Sequence, residues 1–120
     1  MEINLTGTWR CAEDNGLYEI RQFTDAANNQ FILWYAHGKA HDRTWANVTK
    51  GILTSTTIVD HDGKKVKAIV NTDWADVPSA ENRGNGHLSL YVYDNDNMVK
   101  DTQRSNYWGS TWTRVKKKAN

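Results

Sequence analysis

The chain has 120 residues, the length of one domain, and its single cysteine, Cys11, precludes an intramolecular disulfide. Its 15 basic and 14 acidic residues give a formal net charge of +1. The two signs are interspersed, so composition excludes a dedicated nucleic-acid or anionic-membrane surface from our expectations. No apolar stretch approaches the ~20 residues of a membrane span, and the start lacks a basic-then-apolar secretory signal. Because a removed signal leaves no trace, both a cytoplasmic and a secreted location stay open.

Short alternating segments separated by Asn, Asp and Gly clusters predict antiparallel strands and tight turns. In chain order the predicted strands cover 5–12, 17–23, 31–37, 43–50, 52–59, 65–74, 87–93, 98–104 and 110–115. Asn-Gly at 15–16 and Asp-Gly at 62–63 are hairpin signals. Eight or nine consecutive strands predict a single all-β domain over 1–120, an antiparallel up-and-down barrel of eight strands or nine segments. We expect 116–120 to form a solvated basic tail.

Alternation sorts the side chains of three predicted strands between the two faces of the sheet. The even-numbered positions from Val66 to Trp74 share an inward face, as do 88, 90 and 92. Ser89, Tyr91 and Tyr93 then form an outward aromatic ridge. Residues 31–36 are apolar on both faces, which indicates a partner subunit and leaves a homo-oligomer as one expectation.

Two signals near the chain ends point to how such a barrel is closed. Gly-x-Trp at 7–9 lies on the first strand, and Arg114 lies on the last. This pairing resembles the calycin-type barrels, the class of the lipocalins and avidins. The resemblance implies that Trp9 plugs the barrel floor and that Arg114 stacks over its indole as a cation–π partner. Trp112 shares a face with Arg114 and is assigned to the same closure.

Further motifs extend the resemblance over nearly the whole chain. They are Tyr-x-x-Arg-Gln at 18–22, Trp-Tyr at 34–35, Asn-Val-x-x-Gly at 47–51, Trp-Ala-Asp-Val-Pro at 74–78 and Gly-Ser-x-Trp-x-Arg at 109–114. Together they resemble a family of small bacterial avidin- and lipocalin-like barrels, which implies the fold and no established activity. The chain is also distantly similar to the avidins at 5–9 and 71–74. Its closing strand lacks the Gly-His-Asp that supplies their ureido-binding Asp, so the barrel carries over and biotin does not.

A polar anchor for a ligand is predicted on the second strand. One of Arg21 and Gln22 points inward by alternation, and an inward arginine needs a carboxylate partner because a buried lone charge is costly. Asp76 is the expected partner. The pair serves either as a structural ion pair or as the anchor of a ligand cup. Residues 76–86 lie at the barrel mouth in this interpretation and act as a lid.

The remaining predicted cup residues are Trp34, Trp45, Asn47 and Trp74. Flat aromatic faces with a nearby amide suit planar or carbohydrate ligands, and they also suit a barrel filled by its own side chains. The first hypothesis is therefore a small-ligand-binding barrel with an aromatic-walled cup. The alternatives are an oligomerising interaction barrel with a plugged core, and a cyclase- or isomerase-type enzyme that assembles Asp76, Arg21 and Tyr18.

No catalytic constellation, cofactor motif or strong metal pattern is found in the sequence. There is no Gly-x-Ser-x-Gly elbow, phosphate loop or metalloprotease motif. His37, His41 and Asp42 share one turn, but their spacing matches no strong zinc pattern. We therefore expect no metal, no cofactor and no catalytic residue, and we leave open whether the protein is an enzyme.

Overall fold

The computed structural model describes residues 2–38, 45–77 and 83–116. The strands are β1 Gly7–Cys11, β2 Leu17–Thr24, β3 Gln30–His37, β4 Ala46–Ser55, β5 Ala68–Asp76, β6 Asn85–Asp94, β7 Asn97–Lys100 and β8 Thr111–Arg114. Each strand pairs antiparallel with the next, and β8 pairs with β1, so the sheet closes into an eight-stranded barrel. The predicted all-β, antiparallel up-and-down barrel is confirmed.

The prediction of separate strands at 43–50 and 52–59 is wrong, because one strand, β4, runs through Gly51. Gly51 is a point of close approach between strands: a Cβ there would collide with the carbonyl group of Asn71 on β5. After β4 the chain makes an isolated bridge between Val59 and Lys65 around a turn. The side chain of Asp60 holds this turn by accepting from the amides of Asp62 and Lys64, both at 2.9 Å.

The predicted strand at 98–104 is also too long, since β7 ends at Lys100. Asp101 ends it by turning its side chain back to accept from the amide of Gln103 at 3.1 Å. This bond caps a single 3-10 turn, Thr102–Arg104. An aspartate in this position competes with the strand ladder for backbone donors, which explains the early end.

The inward faces predicted from alternation are confirmed on β5 and β6, where Ala68, Val70, Thr72, Leu88, Leu90 and Val92 are buried. The predicted exposed ridge on β6 is wrong. Tyr91 and Tyr93 are half-buried because they donate hydrogen bonds to Asp101 and Asp60. Two connecting segments therefore cover the outer face of β6, one after β7 and one between β4 and β5.

One end of the barrel, which we call the floor, is closed by side chains from β1 and β8. Trp9 is fully buried, and its indole N–H donates to the carbonyl of Leu5 at 2.9 Å. Above its ring lies the guanidinium of Arg114, 4.8 Å from the ring centroid. Gly7 makes room for this group: its φ is +146°, and a Cβ there would lie 2.5 Å from Arg114 Nη1.

Arg114 also satisfies the backbone of the floor. Its three guanidinium nitrogens donate to the carbonyl oxygens of Asn4 and Thr6, both at 2.6 Å, and of Asn95 at 2.7 Å. Hydrogen bonds from a charged group to otherwise unpaired carbonyls are among the stronger ones in proteins. The floor is therefore closed by the ring of Trp9, and Arg114 covers that ring while its guanidinium donates to the surrounding backbone carbonyls.

Candidate functional site

The opposite end of the barrel, which we call the mouth, holds a pocket of about 320 Å³. It lies where β1, β3 and β5 end and where β4 begins. Its lining residues are Asp14, Trp45, Asn47, Trp74, Asp76, Tyr107 and Trp108. Four aromatic side chains, one amide and two carboxylates thus meet in one cavity, the combination of an apolar wall with a few polar groups that is typical of small-molecule sites.

The aromatic wall is positioned by packing against glycines and other rings. Trp45 lies against Gly16, where any Cβ would collide with its ring. Trp74 meets Tyr107 edge-to-face, with ring centroids 5.0 Å apart, and its N–H donates to Asn106 at 3.2 Å. Trp108 stands at the rim with 70% of its surface exposed. The wall therefore has a fixed inner part and one tryptophan that projects into solvent.

A chain of hydrogen bonds runs beneath this wall and ends in the pocket. Trp34 donates to the carbonyl oxygen of Asn47 at 3.0 Å, and the Asn47 amide nitrogen donates to the Tyr107 hydroxyl at 2.6 Å. The two hydroxyls of Tyr107 and Tyr18 are 2.7 Å apart. Tyr18 then donates to Asp14 at 2.5 Å.

The direction of this chain follows from its two ends. An indole N–H only donates, so it fixes the orientation of the Asn47 amide, and a carboxylate only accepts. Because Tyr18 donates its only hydroxyl proton to the hydrogen bond with Asp14, its oxygen accepts from Tyr107, and every donor points toward Asp14. Such a one-way chain polarises each of its bonds. The Asp14 carboxylate is therefore the terminal acceptor of a buried network that begins at Trp34.

The two tyrosines of the network stay protonated at neutral pH. Burial is the largest cause that raises the pKa of Tyr18, and the neighbouring Tyr107 and Asp14 raise it further. Burial also raises the pKa of Tyr107, and it outweighs the hydrogen bond donated by Asn47, which lowers it. The chain of donors is consequently complete over the whole physiological range of pH.

The structure brings together four of the predicted cup residues, Trp45, Asn47, Trp74 and Asp76. Trp34 lies directly beneath them through its bond to Asn47. Asp76 also ties together the two ends of the predicted lid, 76–86, because its carboxylate accepts a hydrogen bond from the amide of Gly84 at 2.7 Å. Residues 78–82 of that lid lie outside the described residues.

Arg21 and Gln22 are placed away from the mouth. Arg21 is exposed on the outer wall, and none of the ion pairs among the described residues joins it to Asp76. Gln22 is the inward residue of the two, but it lies at the floor. There its side chain accepts from the amide of Leu5 at 3.0 Å and donates to the carbonyl of Ile3 at 2.9 Å. Gln22 thus ties the N-terminal segment to the barrel.

Trp112 lies within an aromatic cluster above the floor rather than over Trp9. Its ring packs against Tyr18 at 5.7 Å, Trp34 at 6.1 Å and Tyr107 at 6.2 Å between centroids. Within the described residues its N–H has no hydrogen-bond partner, and the same is true of the Thr49 hydroxyl. The cluster fills the middle of the barrel and forms the bottom of the mouth pocket.

Sequence reasoning missed Asp14, Tyr107 and Trp108 as parts of the site. Asp14 stands in a hairpin turn, and Tyr107 and Trp108 stand in a segment without alternation. The hydrophobic period of a strand or of a helix therefore does not mark any of the three. The signal that the sequence offered was the adjacent aromatic pair at 107–108, followed by Gly109. In the structure Gly109 packs so closely against Cys11 that a Cβ would not fit there. Tyrosine and tryptophan are enriched at binding surfaces, because each combines an apolar ring with a polar group.

Other chemistries find little support in the described residues. No group of three His, Cys, Asp or Glu side chains among 2–38, 45–77 and 83–116 is placed to hold a metal ion. His41 and Asp42 lie outside those ranges. Burial raises the pKa of the Cys11 thiol to about 11, so the thiol stays protonated and is a poor nucleophile.

Fold and pocket define the protein as a closed eight-stranded up-and-down barrel with an aromatic pocket at one end. Comparison of the chain with protein-family models, with curated proteins and with solved structures finds no significant match in any of the three. The resemblance to small bacterial calycin-type barrels therefore stays a prediction. Among the helices of the described residues, none is long and apolar enough to cross a membrane.

Proposed function

We propose that this protein binds a small molecule in the mouth pocket. The observation that carries the proposal is the buried chain from Trp34 to Asp14, which ends in an aromatic-walled cavity of about 320 Å³. Burying several polar groups where apolar ones would fill the barrel is costly unless every member is satisfied. Because the network ends at Asp14, it presents to the cavity a carboxylate with two oxygens that can accept further hydrogen bonds from a ligand, which favours a binding role.

The lining also favours one kind of ligand. Two carboxylates, Asp14 and Asp76, face the pocket among the described lining residues, and the described lining contains no basic side chain. A buried anion would meet these carboxylates without compensation, whereas N–H or O–H donors and positive charge would be met by them. A ligand with a flat apolar face and donor groups therefore fits the site.

A matched set of probes tests this proposal. Phenethylamine, 2-phenylethanol and phenylacetate each carry a phenyl ring, and they are positive, neutral and negative in charge. Their binding is followed by amide shifts in NMR spectra and by tryptophan fluorescence. We expect the amine and the alcohol to shift the signals of Trp74 and Tyr107, and phenylacetate to bind at least tenfold more weakly. Small molecules released on denaturation of the purified protein are identified in parallel by mass spectrometry.

Substitution of the wall provides the control. Trp74→Ala should weaken probe binding about tenfold, since a contact with an aromatic face contributes on the order of 0.5–2 kcal/mol, while leaving the barrel folded. Tyr35→Ala, on the outer wall, should leave probe binding unchanged. The proposal is wrong if a folded Trp74→Ala variant keeps full affinity, or if no probe shifts mouth signals and no molecule is released.

A further inference from the structure

The outer wall of the barrel carries a second feature, which the mouth pocket does not explain. Leu33 and Tyr35 on β3 and Val48 and Ile52 on β4 are 42%, 48%, 45% and 40% exposed. We call these four residues the outer patch. They account for four of the nine large apolar side chains that are exposed in the described residues. Contiguous apolar surface of this kind marks an interaction site on a protein.

The outer patch borders a shallow depression in the wall. A cleft of about 530 Å³ runs over β2 to β5, with Leu33, Tyr35 and Val48 among its lining residues. Charged side chains, including Arg21, Lys50 and Asp73, border it. The depression flattens the otherwise convex outer wall here, so more of the wall can approach a second flat surface before the two curve apart.

Strand register fixes where the bordering charges stand. Arg21 pairs with Leu33, Leu33 with Lys50, and Lys50 with Asp73, so the four form one row across β2, β3, β4 and β5. Arg21 and Asp73 occupy the two ends of the row. Three strand spacings separate them, about 14 Å, which is too far for an ion pair within one chain. The Asp73 side chain is 80% exposed and contacts His87 at 3.4 Å.

We infer that the outer patch binds a second copy of this chain, face to face, about a two-fold axis that runs parallel to the strands between β3 and β4. That axis exchanges β2 with β5 and β3 with β4 while keeping the rows aligned. Arg21 then faces Asp73 of the second copy, and the reverse pair forms at the other edge. A two-fold interface has to be self-complementary in this way, and the opposite charges of Arg21 and Asp73 at the two ends of the row meet the requirement.

The apolar residues satisfy the same symmetry. Tyr35 faces Val48 of the second copy one row away, because these two are register partners within the chain. Lys50 faces Leu33, and the aliphatic stem of a lysine covers an apolar side chain while its charge stays in water. At the edges the barrels curve apart, so only a long side chain such as Arg21 reaches across to its partner.

The size of the patch sets the strength to expect. Four strands by three rows of outward residues give a footprint of roughly 400 Å², from strand spacings of about 4.8 Å and same-face spacings of about 6.8 Å. A standard interface uses about 800 Å² per partner. The patch therefore forms the apolar centre of an interface rather than all of it, and we expect a dimer with a Kd on the order of micromolar.

Sedimentation velocity of the full chain, over concentrations from about 1 µM to about 1 mM, tests the inference. We expect a concentration-dependent monomer–dimer equilibrium. Leu33→Lys combined with Ile52→Lys should weaken dimerisation at least a hundredfold, because four added positive charges would meet the two Lys50 side chains at the centre of the interface. Thr113→Lys, exposed on β8 at the other side of the barrel, is the matched control and should leave the Kd unchanged.

Charge reversal tests the two-fold arrangement itself. Arg21→Asp or Asp73→Arg alone should weaken the dimer about tenfold, and the two together should restore it to within about threefold of the original Kd. A chain that stays monomeric at every concentration overturns the inference, as does a dimer that survives Leu33→Lys with Ile52→Lys. Failure of the double reversal to restore affinity overturns the proposed axis. Probe binding at the mouth is measured separately, so its loss bears on the proposed function alone.

Discussion

The two ends of this barrel use the same residue type, tryptophan, for opposite purposes. At the floor, Trp9 is buried, its N–H is bonded to Leu5, and Arg114 covers its ring. At the mouth, Trp74 and Trp108 stand beside carboxylates and keep part of their surface in solvent. The difference teaches that a tryptophan closes the barrel where a cation covers its ring. At the floor that cation, Arg114, is held in place by backbone carbonyls. Where no such cap stands among the described residues, the rings surround a pocket.

The largest effect we expect is a difference in stability between the two ends when a tryptophan at each is replaced by alanine. Trp9→Ala should lower the free energy of unfolding by about 3–5 kcal/mol, because it leaves a cavity and removes the surface on which Arg114 stacks. Trp108→Ala should change it by less than about 0.5 kcal/mol, as expected for an exposed side chain. Urea unfolding followed by circular dichroism measures both. Equal losses at the two positions would erase the distinction between floor and mouth.

A second, smaller effect concerns the buried network at the mouth. Tyr107→Phe removes one hydroxyl and leaves the Asn47 amide without its acceptor and Tyr18 without its donor. The free energy of unfolding should fall by about 1–3 kcal/mol, the cost of buried polar groups without partners. Tyr35→Phe removes an exposed hydroxyl of the outer patch and should be nearly neutral. A neutral Tyr107→Phe would mean that the network contributes nothing to the fold.

The smallest effect appears at high pH. Because burial raises the pKa of Tyr18 and Tyr107, the folded state holds their protons where the unfolded state has lost them. Their stabilising contribution is complete below the unfolded pKa of ~10 and declines as pH rises above it, by about 1.4 kcal/mol per pH unit for each tyrosine. Tyr107→Phe should therefore reduce the slope of unfolding free energy against pH between about 10.5 and 11.5.

Absorbance of tyrosinate at alkaline pH supplies the readout for this prediction, together with urea titrations at each pH. Trp108→Ala, which changes no tyrosine, should keep the slope of the unmodified protein. If Tyr107→Phe also keeps that slope, then the hydroxyl of Tyr107 titrates as freely in the folded state as in the unfolded one, and the burial argument for the network fails.

Much of the fold was predictable from the sequence because a barrel wall has a strict period of two. Alternation at 66–74 and 88–92 identified the inward faces, since a slip of one residue would turn every apolar side chain to the solvent. The division of β4 at Gly51 was predicted wrongly, because a glycine that ends a strand and one that admits a neighbouring backbone look the same in sequence. The covering of Tyr91 and Tyr93 was also missed, because it depends on Asp60 and Asp101 in segments without a period.

The candidate site divides in the same way. Trp45, Asn47, Trp74 and Asp76 were found because they lie on or next to predicted strands, whose ends meet at one rim. Arg21 was expected as an anchor and stands on the outer wall, because alternation says that one of two neighbours points inward and does not say which.

The sequence by itself determined the class of fold and the inward faces of β5 and β6, since both follow from local periodicity and turn chemistry. Only the tertiary structure decided that Asp14, Tyr18 and Tyr107 share a network with Asn47. These residues are separated by up to 93 positions in the chain, from Asp14 to Tyr107, and no local pattern links them. Barrel closure brings them together, because the pairing of β8 with β1 places the segment before β8 beside the turn after β1.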